Sequence, residues 1–167
     1  MSPTEPFKSS EEAFEYVLKG NREAIAFATV MCSVLHLWDD LEDRDKRVAR
    51  EDINSAMYSA LVVLPRNTFY QAHFEELNAM VESAILNWHT ANLFERQGSD
   101  DDKHIAFIIR SAYFNIVLTA ARIVGGYRWA REIAPALRRF WHKEGFEGYL
   151  RNLADQFAKE KELGHVL

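Results

Sequence analysis

Apolar residues recur along this chain at helical spacing, and no stretch alternates as a strand would. SSEE places Ser9 as N-cap and Glu12 three residues on, a capping box. The short helix it opens runs to Gly20, a C-cap residue. Asn21 then caps a second helix reaching about Asp43, built on the apolar run AIAFATVMCSVLHLW. A third, EDINSAMYSALVVL, stops at Pro65. Asn67 or Thr68 caps a fourth, Phe69 to about Arg96, with Leu77, Val81, Ala84, Trp88 and Ala91 in one stripe. GSDDD is a loop whose last Asp caps the fifth, KHIAFIIRSAYFNIVLTAARIV, ended by Gly125-Gly126. The remainder gives two or three shorter helices, one with Pro135 in its first turn. The pattern predicts an all-α protein: a flexible arm at 1–8, then one domain at 9–167, a bundle of five to seven helices.

Composition narrows the function classes. With 167 residues, nearly half of them apolar, the chain can bury a real core. The net charge of −5, without a basic run, disfavours nucleic acid. One cysteine, Cys32, makes no internal disulfide and fits a reducing, cytoplasmic compartment. The N-terminus is unlike a secretory signal, and the apolar runs are interrupted by polar residues, so no membrane span is expected. P-loop, dinucleotide-fold, zincin and CxxC motifs are all missing from the sequence.

The candidate chemistry lies in polar lanes on otherwise apolar helices. HLWDDLEDRDK crowds five acids at the end of the second helix. Thr29, Ser33, His36, Asp40 and Asp43 follow at steps of four and three, so they share one face. The fifth helix carries Ser111, Asn115, Thr119 and Arg122; the fourth carries Asn87 and Glu95. If these lanes converge they enclose carboxylates, an amide and an arginine, as metal sites in bundles do. Mg²⁺ suits such ligands and takes others from a substrate phosphate. In that reading Asp39, Asp40 and Asp43 hold Mg²⁺, and His36 and Glu95 are catalytic. Asn87, Asn115 and Arg122 bind substrate. The competing reading is a helix end in water, at a macrodipole cost of only about 0.3–1 kcal/mol.

DDLED, with Asp39, Asp40 and Asp43, resembles the DDxxD motif of class I isoprenoid synthases. That resemblance implies Mg²⁺ held against a diphosphate. NWHTANLFE supplies Asn87 and Glu95 at the spacing of the second terpene-cyclase motif, with Ala91 where that motif has a hydroxyl. EEAFE (Glu11, Glu12, Glu15) and EDRD (Glu42, Asp45) resemble the EExxE and ExxD acids of all-α nucleoside triphosphate pyrophosphohydrolases of the MazG and dimeric dUTPase type. HLWDDLEDRDK is also similar to small proteins of tailed phages.

Two functions are therefore expected. One is a Mg²⁺-dependent, phosphohydrolase-like enzyme acting on a diphosphate- or triphosphate-containing small molecule. The other is a non-enzymatic interaction factor of phage type, binding a host or virion protein through its aromatic C-terminal third. Trp129, Phe140, Trp141 and Phe146 would then mark an interface, with a homodimer as one form.

Overall fold

The computed structural model describes residues 7–43 and 46–164. Over these residues the chain is an all-α bundle without a strand, as the periodicity predicts.

Helix α1 (Ser10–Val17) begins at Ser9, whose Oγ accepts the Glu12 N–H at 3.2 Å. The Glu12 carboxylate reaches back to the Lys8 N–H at 2.8 Å. Gly20, at φ +68°, closes the helix by donating its N–H to the Glu15 carbonyl. Phe7 is buried and packs edge-on against Phe140, so the end of the expected arm joins the core. Residues 1–6 of that arm lie outside the described residues.

Helix α2 (Arg22–Asp43) is capped by Asn21, as expected. It buries only Ala24, Phe27, Ala28 and Met31. Its second half lies half-buried or exposed, so only its first turns are central. Helix α3 (Arg50–Tyr58) runs through a π-helical segment (Ser59–Val63) into the single turn α4 (Leu64–Arg66), none of which buries a residue. The expected fourth helix divides at His73 into α5 (Thr68–Ala72) and α6 (Phe74–Gln97). Asn67 caps α5 and also donates to the Glu23 carbonyl, which ties α5 to the start of α2. Leu77, Ala84 and Ala91 of the predicted stripe are buried.

The expected fifth helix also divides. Helix α7 (Asp100–Ile109) starts at Ser99, with Asp102 completing the capping box from inside the first turn. The cap is therefore Ser99 and not the last Asp of GSDDD. A turn at 110–112 leads into α8 (Tyr113–Trp141), which breaks at Gly126 (φ 81°, ψ 171°). Pro135 sits inside the second arm of α8 rather than in a first turn. Helix α9 (Phe146–Gly164) follows.

The break at Gly126 makes α8 a hairpin. A straight helix of this length would span roughly 43 Å. Yet Ser111 and His142, at its two ends, touch at 2.7 Å, and the Tyr113 and Trp141 rings pack at 5.7 Å. The core forms between the two arms and α1, α2 and α6, with Phe27, Leu18, Leu77, Ile116 and Leu137 fully enclosed. Arg22–Asp43 and Asp100–Trp141 are long and apolar enough to cross a membrane, by length and composition. The sequence reading expected no such stretch. Both stretches contribute residues to the core of this bundle, with 22% and 33% of their most apolar windows buried.

Candidate functional site

A cavity of about 440 Å³ opens between α2, α6, α7, α8 and α9. Its wall is aromatic: Trp38, Trp88, Phe107, Tyr113, Trp141 and Tyr149. The six rings come from five helices, Tyr113 and Trp141 from the two ends of α8. Trp88 stacks edge-on against Trp38 and donates its indole N–H to Asp39 Oδ1 at 2.7 Å. The Tyr113 hydroxyl donates to the Ala28 carbonyl at 2.6 Å. Burial, together with the neighbouring Cys32, pushes the Tyr113 phenol well above its ordinary value. Burial likewise raises the Cys32 thiol, so this cysteine is protonated and a poor nucleophile at neutral pH. Its sulfur lies 3.3 Å from His36 Nδ1.

Charge gathers around Arg110, which lines this cavity together with Asp39. Glu95, on α6, is the buried charged residue among those described, with 7% of its surface exposed. One of its oxygens accepts from Arg110 Nη1 at 2.8 Å and from the Tyr149 hydroxyl at 2.6 Å. Burial disfavours the Arg110 cation, but the Glu95 charge, helped by Asp39 and Asp43, more than offsets this and raises its pKa. Burial, then the Asp39 charge, push the Asp43 carboxyl up to about 6, against the pull of Arg110 and Gln156. The pattern is a cation among three acids, with Asp43 the acid that ionises last, at about pH 6.

The expected site residues thus separate. Asp39, Asp43 and Glu95 meet around Arg110. Asp40 turns to Lys46 in an ion pair at 2.7 Å. His36 is exposed but lines the cavity. Asn87 is half-buried and lies outside the cavity lining. Asn115 is exposed, and Arg122 pairs with Glu76 on the surface. Thr29 and Ser33 of the α2 lane face solvent, and the Ser33 hydroxyl donates to its own helix at the Thr29 carbonyl. Glu11, Glu12 and Glu15 are exposed on α1, and Asp45 lies outside the described residues.

Arg110 and Tyr149 escaped the sequence reading. A signal for Arg110 exists: a lone arginine within IAFIIRSAYFNIVL demands a buried partner. Four aromatics of the C-terminal third turn inward, while Tyr127 stands exposed. Phe140 is buried, Trp141 lines the cavity, Trp129 donates to the Val17 carbonyl and Phe146 stacks on His104. Large exposed apolar side chains stand at Met57, Tyr58 and Leu61 on α3 and the π segment, at Leu86 and Leu93 on α6, at Ile108 on α7 and at Tyr127 on α8.

Among the described residues, no group of three or more His, Cys, Asp or Glu side chains is arranged to hold a metal ion. A Mg²⁺ ion taking one or two carboxylates and the oxygens of a bound phosphate needs no such group. No protein-family model matches the sequence, and no curated protein or solved structure matches it.

Proposed function

We propose that the protein binds a small organic molecule in the cavity walled by Trp38, Trp88, Trp141 and Tyr149. The observation that carries this reading is the cavity itself: about 440 Å³, with an aromatic wall and a few convergent polar groups. Ligand sites have that size and composition. The rings supply contact area, and Asp39, Arg110 and His36 supply orientation.

The test is tryptophan fluorescence and thermal melting against a library of aromatic and phosphorylated small molecules. A saturable fluorescence change, with a rise in Tm, supports the reading. A library without a hit that Trp88→Ala abolishes overturns it.

A second reading makes the ligand a diphosphate or triphosphate bound with Mg²⁺. What favours it is Asp39 and Asp43 of α2 beside Glu95 of α6, with a cation, Arg110, in reach of phosphate. Arg110 replaces Arg122 in that role. A Mg²⁺- or Mn²⁺-dependent rise in Tm, lost in Asp39→Asn/Asp43→Asn, supports it; equal melts with and without metal remove it. The interaction-factor reading keeps Tyr127 of the C-terminal third and gains Met57, Tyr58 and Leu61 as exposed apolar side chains.

Asp43 gives a pH prediction independent of ligand. A carboxyl raised to about 6 holds its proton in the folded chain where the unfolded chain has lost it. Stability therefore falls as pH rises from about 4 to 6, and the loss is complete above that. Asp43→Asn removes the penalty. Discounted for partial exposure, the gain is about 1–2 kcal/mol at pH 8. At pH 4 the two chains should melt together. Urea titrations at both pH values check this, and a variant less stable at pH 8 would contradict it.

A further inference from the structure

Next to Arg110 in the chain, Ser111 places its Oγ 2.7 Å from His142 Nε2, and both residues line the cavity wall. Two more groups touch this hydroxyl. The Ile108 carbonyl lies at 2.9 Å and Arg138 Nη1 at 3.2 Å. A guanidinium only donates and a carbonyl only accepts. The single hydroxyl proton therefore goes to Ile108 or to His142. Burial and the Arg138 charge push His142 below its ordinary value, so at neutral pH a ring nitrogen is free to accept. Arg138 is fixed by its seat over the Phe114 ring, at 3.6 Å, with its charge on the serine oxygen.

We propose that Ser111 and His142 are a nucleophile and general base, and that the cavity hydrolyses a small carboxylic ester seated against its aromatic wall. This rests on the reading that the cavity takes a small organic molecule. Ser111 Oγ attacks the ester carbonyl carbon while its proton passes to His142 Nε2. The carbonyl electron pair moves onto oxygen, and the Arg138 guanidinium faces the charge that develops. Collapse breaks the carbon–oxygen bond to the alcohol, which leaves with the proton from His142. Water then gives a proton to His142 and attacks the acyl carbon. The Oγ–carbon bond breaks, the acid departs, and His142 returns the proton to Ser111.

The experiment treats the full chain with an alkyl fluorophosphonate, whose P–F bond the nucleophile displaces, and maps the adduct by peptide mass. The expected result is phosphonylation of Ser111, with loss of p-nitrophenyl acetate hydrolysis in proportion. His142→Gln should slow labelling about 100-fold, the low end for general-base catalysis. An unlabelled Ser111 in a chain that melts normally overturns the proposal, as does labelling at the wild-type rate in a folded His142→Gln. Tryptophan fluorescence with an apolar dye runs alongside. Dye binding without Ser111 labelling removes the hydrolase and leaves the cavity reading standing; no dye binding and no labelling remove both.

Discussion

Glu95→Ala should cost about 3 kcal/mol of stability, the low end for breaking a buried ion pair. The carboxylate is almost wholly enclosed, and one oxygen serves both the Arg110 guanidinium and the Tyr149 hydroxyl. Truncation leaves a cation and a phenol facing each other without an acceptor, and each pays its desolvation unrelieved. The charges of Asp39 and Asp43 remain near Arg110, which is why the low end applies. At this chain length the loss corresponds to a fall in Tm of roughly 6–12 °C. Glu95→Gln keeps an acceptor and the side-chain volume, so it should fall between the two. Urea melts of the three chains measure this. A Glu95→Ala chain within about 0.5 kcal/mol of wild type would show that water reaches Arg110 freely.

Three of the caps were legible in the sequence because they depend on neighbours. Ser9, Asn21 and Asn67 each sit three residues before the N–H they satisfy. The breaks at His73 and at 110–112 carry no Pro or Gly. At 110–112 distant partners take over: Arg110 turns toward Glu95 on α6, and Ser111 toward His142 across the α8 hairpin. Lanes of polar residues locate a face but not what the face meets. Asn87 and Glu95 are eight residues apart, which turns them roughly 80° from each other around the helix. That rotation is enough to bury Glu95 and leave Asn87 half-buried. Asp39, off the α2 lane, is the acid that meets Trp88 and the cavity, while Asp40 within the lane meets Lys46. The acidic segment is therefore divided. Asp40 is paired at the surface, as a helix end in water would be; Asp39 lines the cavity, and Asp43 acts on Arg110 through its charge.

Gly126→Ala should cost about 1–3 kcal/mol, and its cause is the backbone alone. Gly126 stands midway between Ser111 and His142. Its φ of 81° and ψ of 171° fall in a region that is open to glycine and closed to residues with a Cβ. A Cβ built there meets nothing within 4 Å, so no steric clash contributes. Gly145 supplies the control. It too has open space around a Cβ, and its φ lies outside the left-handed range. Gly145→Ala should then be neutral, or stabilising by up to about 1 kcal/mol through the unfolded chain. The contrast also reaches the site. An alanine that relaxes toward helical φ straightens α8 and carries Arg138 and His142 away from Ser111. Gly126→Ala should therefore lose stability and the 2.7 Å Ser111–His142 contact together, while Gly145→Ala keeps both. Thermal melts with side-chain NMR of His142 read the two effects. Equal melts for the two variants would mean that the hairpin does not depend on the glycine at its turn.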